Sequence, residues 1–222
     1  MAWSRGCPYD CTFCSIIEIY NRSTRFRSPE AVVEDIRQQM RLTGRRYVFF
    51  ADDNFTAHAR KCKDLLRRLI DAKLNLRFSA QVRLEFSKDE EFIRLMKEAG
   101  CYMVFIGFES INPQTLLDFQ KRQTVDDIVY CVERLHRAGL HVHGMFVLGG
   151  DADDVRTVRE TAHVAHYRSA ERSPAAANGR GPASGGHARL HRRPARRRTR
   201  GPGTPRALHH GTLGPLRRPV MG

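Results

Sequence analysis

The chain has 222 residues, 41% of them hydrophobic, and a formal net charge of +14 at pH 7. That length suffices for one substantial core or for part of a larger barrel, and no apolar run approaches what a membrane-crossing helix requires. The charge is unevenly placed: residues 169–222 hold twelve arginines, no lysine and one acid, Glu171, so +11 of the +14 lies there and +3 on residues 1–168.

Residues 1–6 are too short and too polar for an apolar targeting core. Trp3 to Arg5 reads as the stub of a strand, and the loop after it, "GCPYDCTFC", carries Cys7, Cys11 and Cys14. Ser28-Pro29 then opens a helix with a cap and a first-turn proline; Val33, Ile36 and Met40 line it and Gly44 closes it. "YVFFA" (Tyr47 to Ala51) is a short run of β-formers, and "LRFSA" (Leu76 to Ala80), "YMVFIG" (Tyr102 to Gly107) and "HVHGMFVLG" (His141 to Gly149) read alike. Helical patterns separate them. One holds Cys62. In the next, Ser87 with Glu90 predicts a capping box ahead of Phe92, Ile93 and Met96, with Gly100 as the stop. The last follows Thr124, carries Ile128, Val132 and Leu135, and ends at Gly139.

Strand, helix, strand with short connections signals right-handed βαβ units: an α/β fold on a parallel sheet, either open or rolled into a barrel. Chemistry in such folds gathers at the carboxyl ends of the strands. Those ends carry Asp52-Asp53-Asn54, then Gln81 with Arg83, then Glu109-Ser110, then Gly149-Gly150-Asp151. With the cysteine loop they share one rim. Asp52 to Asn54 also suits a helix-capping loop, and Gln81 and Arg83 read more simply as solvated strand ends. Glu109, directly after an apolar strand, reads as functional. His136, His141 and His143 show no metal-ligand spacing.

Residues 169–222 follow no such pattern. Arg, Pro, Gly and Ala make up 36 of the 54 residues, too little aliphatic mass for a core. Two readings stand: a basic, disordered nucleic-acid-binding tail, or an out-of-frame translation of GC-rich DNA. The absence of lysine beside so much arginine favours the second, and nucleic acid is not expected as a partner. The domain division is therefore 1–168 for the folded core and 169–222 for the tail.

Three clustered cysteines and three scattered ones fit a reducing, cytoplasmic compartment in which thiols bind metal. In a C-x3-C-x2-C loop three thiolates converge on one soft centre, which iron–sulfur clusters, zinc and copper(I) all accept. A [4Fe–4S] cube held by three cysteines keeps one iron free of side chains, open to a substrate. The competing reading is zinc completed by a distant ligand. Cys62, Cys101 and Cys131 are poor candidates for it, since two lie within helices and the third sits away from the rim.

"GCPYDCTFC" resembles the C-x3-C-x-aromatic-C signature of radical S-adenosylmethionine enzymes, with Phe13 at the aromatic position. "FADDNFTAHARKCKDLLRRL", "VFIGFES" and "GMFVLGGD" resemble the subgroup of that superfamily that carries a cobalamin-binding domain. The resemblance implies a partial (β/α)6 barrel, truncated at both ends, in which Cys7, Cys11 and Cys14 ligate a [4Fe–4S] cluster whose open iron chelates S-adenosylmethionine. It implies Phe13 near the adenine and Glu109 and Ser110 at the ribose or methionine portion. Asp52-Asp53 stands where the family's Gly-Gly-Glu segment contacts the methionine amino group. Gly144 and Gly149 stand at the glycines of its adenine-side G-x-I-x-G-x-x-E segment, whose final acid is Ala152 here. Reduction of the sulfonium through the cluster would release methionine and a 5′-deoxyadenosyl radical. Flavodoxin or ferredoxin is the implied electron donor, and cobalamin is implied only for a full-length parent.

Overall fold

The computed structural model describes the backbone of residues 1–170 and side chains through residue 165. The readings of the arginine-rich stretch past Ala170 lie outside the described residues. The elements are β1 (Ser4–Arg5), α1 (Ile16–Tyr20), β2 (Arg25–Phe26), α2 (Pro29–Thr43), β3 (Tyr47–Phe50), α3 (Ala59–Asp71) and β4 (Arg77–Val82). A 3₁₀ turn (Leu84–Lys88), α4 (Glu90–Glu98), β5 (Cys101–Glu109), α5 (Pro113–Asp118), α6 (Val125–Arg137), β6 (His141–Phe146) and α7 (Val155–Ala170) follow. Among the described residues no helix is long and apolar enough to cross a membrane.

The main sheet is parallel throughout, in the order β3-β4-β5-β6. Because strands that neighbour in the sheet also follow one another in the chain, crossovers of the usual right hand put the connecting helices α3, α4 and α6 on one face. That is the one-sided winding of a (β/α) barrel rather than of a doubly wound sheet, so the open-or-rolled question falls to the barrel side. Burial alternates accordingly. Phe50, Phe78, Ala80, Val104 and Ile106 are fully buried toward the helices, in one core with Ile36, Leu65, Met96 and Leu135. Each large side chain there contributes about 1.5–3 kcal/mol by leaving water. On the opposite face Tyr47 and Phe49 stay half exposed, and Phe49 on β3, Phe105 on β5 and His143 on β6 run ring to ring over the intervening β4 at 5.6 and 5.0 Å.

Most predicted caps are in place. Ser28 accepts from Ala31 N–H, Thr124 and Asp127 form a reciprocal capping box, and Gly44, Gly100 and Gly139 all take positive φ at helix ends. Ser87 is a correction. It is buried inside the 3₁₀ turn, and Asp89 caps α4 by accepting from Phe92 N–H at 3.0 Å. Leu84 and Phe86 both turn into the core, which pulls the chain into the tighter 3₁₀ winding and delays the helix start by two residues.

The N-terminal stub also differs from expectation. Trp3 to Arg5 does not join the parallel sheet; Met1 lies against β3 instead, its amino-terminal ammonium donating to Phe49 C=O at 2.8 Å and its C=O accepting from Ala51 N–H at 2.7 Å. Ser4 and Arg5 peel away to pair antiparallel with Phe26 and Arg25. The Asp52 carboxylate causes the departure by accepting from the N–H groups of Trp3 and Ser4 where a strand carbonyl would continue the ladder.

Loss of the Asp89 cap is expected to cost about 1 kcal/mol. Asp89→Ala should lower the thermal midpoint while Asp89→Asn recovers most of the loss; equal midpoints for wild type and Asp89→Ala would return the cap to Ser87.

Candidate active site at the strand ends

The loop from Cys7 to Cys14 has no regular secondary structure, and its shape comes from its neighbours. It starts at Gly6, whose φ of 89° and close approach to the Ser23 carbonyl leave no room for a Cβ. Gly6 N–H donates to the Asp53 carboxylate at 2.7 Å. Asn54 Nδ2 approaches Cys7 Sγ at 3.9 Å, Arg122 pairs with Asp10 at 3.3 Å, and Thr12 Oγ1 donates to the Asp118 carbonyl at 2.8 Å. Phe13 leans on Phe119 with centroids 4.9 Å apart.

All three thiols open into one cavity of about 290 Å³ at the carboxyl ends of β3, β4 and β5. Phe13, Asp53, Asn54, Gln81, Arg83 and Glu109 reach it too, with Lys121 and Met145. A second cavity, about 840 Å³, lies beside Met1, Arg27 and Met40 and holds none of the cysteines. Among the described residues no group of three His, Cys, Asp or Glu side chains stands arranged to hold a single metal ion. Burial pushes the Cys7 thiol above its ordinary value. Cys62, Cys101 and Cys131 are buried away from the cavity, and burial lifts the latter two to about 12 and about 11, as inert core thiols require.

Of the residues singled out in sequence, the cavity gathers Cys7, Cys11, Cys14, Phe13, Asp53 and Glu109. Asp52 touches its wall, but its carboxylate accepts from Ser4 Oγ at 2.6 Å and from the backbone N–H groups of Trp3 and Ser4. Ser110 turns its hydroxyl to Asn112 N–H at 2.9 Å, and Gly149 sits in the loop past β6 with nothing near its Cβ position. Gly144 points to the helix side, where a Cβ would press on the Phe108 ring at 2.8 Å. The period-2 alternation of β6 makes Met145 the residue that faces the cavity instead.

Glu109 is the strained residue of the site. Its φ is 64°, and Ser110 N–H donates back to Phe108 C=O at 2.8 Å, which closes a γ-turn of positive φ. Such a conformation costs of order 1–3 kcal/mol outside glycine. Lys121, from the loop between α5 and α6, holds it in place with Nζ 2.9 Å from Glu109 Oε1 and 3.0 Å from Gly107 C=O, both side chains almost fully buried.

Sequence reasoning underrated Arg83. The side chain is 9% exposed, and its Nε and Nη2 engage Glu85 at 3.1 and 2.7 Å. Burial opposes the charge, but the Glu85 contact outweighs it and keeps the guanidinium protonated. Its place just past β4 was the available signal. Lys121 had none, since it arrives from a helix–helix loop.

A one-sided β/α sheet that gathers three thiols and buried ion pairs at its strand ends belongs to the barrel class of α/β folds, with its candidate site where that class carries its chemistry. The chain belongs to the radical SAM superfamily, whose profile matches residues 1–163. It is 30% identical over 161 residues to bacteriochlorophyllide d C-12(1)-methyltransferase of Chlorobaculum tepidum, an alignment covering 71% of this chain and 35% of the relative. It is also 30% identical to the hopanoid C-2 methylase of Rhodopseudomonas palustris, over 70% of this chain and 30% of that protein. The fold matches the cobalamin- and cluster-bound radical S-adenosylmethionine methyltransferase TsrM of Kitasatospora setae with a TM-score of 0.69 at 21% identity, over 76% of this chain and 34% of that one. OxsB, a cobalamin-dependent radical enzyme, gives 0.61 at 20% identity, over 72% of this chain and 25% of its own. The chain thus spans about a third of the curated relatives it matches.

Burial raises the Asp52 carboxyl above its ordinary value, against the hydrogen bonds from Ser4 and Trp3. Folding therefore favours its protonated form: its contribution to stability is fullest below the ordinary carboxylate range and fades as pH rises through the raised value. Relative to Asp52→Asn, which stays neutral, the wild-type melting temperature should fall as pH rises above the ordinary carboxylate range. A pH-independent difference between the two proteins would contradict this.

Proposed function

We propose that residues 1–168 form the catalytic core of a radical S-adenosylmethionine enzyme of methyltransferase type, in which Cys7, Cys11 and Cys14 hold a [4Fe–4S] cluster with one iron left to the cosubstrate. The observation that carries this reading is the opening of three thiols into a single strand-end cavity. The donor set suits such a group: the thiolates are soft ligands, and N–H donors from Arg83 and Asn54 are directed at two of the sulfurs, at 3.4 and 3.9 Å. When bound, the cluster would supply the electron that splits S-adenosylmethionine into methionine and the 5′-deoxyadenosyl radical, which takes hydrogen from an unactivated carbon.

The chain's own part is binding, orientation and exclusion of water. Phe13, braced on Phe119, offers a ring to the adenine. Glu109, locked by its turn and by Lys121, faces the ribose or methionine portion, and Asp53 stands at the methionine end. Ser110 serves this site through the turn after Glu109, Asp52 by tethering β1, and Gly144 and Gly149 by shaping the β6 end. Flavodoxin or ferredoxin supplies electrons, and cobalamin, which TsrM and OxsB bind, is proposed only for a longer form of the protein. The methyltransferase assignment rests on the relatives, several of which are methyltransferases.

Anaerobic reconstitution should load iron and labile sulfide in equal amounts, and adding S-adenosylmethionine should change the EPR spectrum of the reduced protein. Cys→Ala at position 7, 11 or 14 should abolish both signals. Chelatable zinc without sulfide, or a spectrum indifferent to S-adenosylmethionine, would overturn the reading.

A further inference from the structure

Arg83 makes three contacts at once. Its guanidinium lies over the Tyr9 ring, 3.9 Å from the centroid. Its Nε and Nη2 bind the Glu85 carboxylate, and its Nη1 donates to Cys11 Sγ at 3.4 Å. Tyr9 and Cys11 both belong to the cysteine loop, so one planar cation from the end of β4 grips that loop by a ring face and by a ligand sulfur. Lysine could hold neither the stacking nor the forked geometry. Arg83 is 9% exposed at its side chain and Glu85 33%. The pair is therefore an oriented dipole, with its buried positive end against sulfur and its negative end nearer solvent.

We propose that Arg83 and Glu85 act as opposed positioning residues that set the electron affinity of the cluster through Cys11. This rests on the cluster reading above. A positive charge and an N–H donor beside a ligand sulfur stabilise the more negative, reduced cluster and raise its potential. Glu85 offsets part of that charge and so lowers the potential. The two residues share one ion pair yet pull in opposite directions, which a purely structural clamp would not do.

The test is an EPR-monitored redox titration of the anaerobically reconstituted full chain, without S-adenosylmethionine. Arg83→Met should shift the midpoint to a more negative potential, and Glu85→Gln, which still accepts a hydrogen bond from Arg83, should shift it to a more positive one. Shifts of the same sign, or none in either variant, overturn the proposal. If Arg83→Met loses its cluster, Glu85→Gln decides alone: an upward shift supports the proposal, and an unchanged or lowered midpoint overturns it. A wild-type chain that takes up no cluster counts against the proposed function instead, so the two failures are distinguishable.

Discussion

The site depends on an irregular loop being held still by the ends of strands. Between Gly6 and Ser15 the backbone has almost no hydrogen bonds of its own, and an untethered loop of that length would pay the full entropy of ordering when anything bound to its thiols. Here Asp53 after β3, Arg83 after β4, and Asp118 with Arg122 at the end of α5 anchor it from three separate segments. The sheet makes this feasible because its strands are all parallel, which brings every carboxyl end to the same rim. The aromatic cluster of Phe50, Phe55 and Phe78 fixes the loop after β3 against that rim, with ring centroids 4.8 to 5.9 Å apart.

Rigidity at the rim has an energetic cost, visible at Glu109 and Lys121. A residue at positive φ and a buried ion pair are each unfavourable in isolation, because strain and desolvation oppose them. They persist together because each compensates the other: the turn aims the carboxylate at Lys121, and Lys121 also satisfies the Gly107 carbonyl. Gly107 is needed for this, since a Cβ there would collide with the Glu109 carboxylate.

The strands, the helix stops and the shared rim were legible in sequence because period, capping chemistry and glycine placement are local signals. Ser28, Thr124, Gly44 and Gly139 behave as their types dictate. Ser87 misled because Asp89 competes for the same cap two residues on, and two core-seeking side chains decide between them. The family signature supplied the cysteines, but signature positions do not report which face of a strand a residue takes. That is why Gly144 lies behind the sheet while Met145 looks into the cavity. Asp52 shows the same gap: an acid at a strand end is equally suited to a ligand or to a β-edge, and only the approach of Ser4 decides its carboxylate's partner.

Net charge was the least informative quantity. The excess of +14 sits mostly in residues 169–222, whereas the cavity's cations come paired, Arg83 with Glu85 and Lys121 with Glu109. Paired charges in a low-dielectric wall act by direction rather than by sum. A cavity of one sign would favour one end of a cosubstrate that carries a sulfonium, an ammonium and a carboxylate together. Here the cations are held by their own partners, Arg83 by Glu85 and Cys11 and Lys121 by Glu109 and the Gly107 carbonyl, so the cavity wall carries both signs without a large net charge. On that argument the proposed function requires no net positive charge at this rim, and the excess carried by residues 169–222 has no bearing on it.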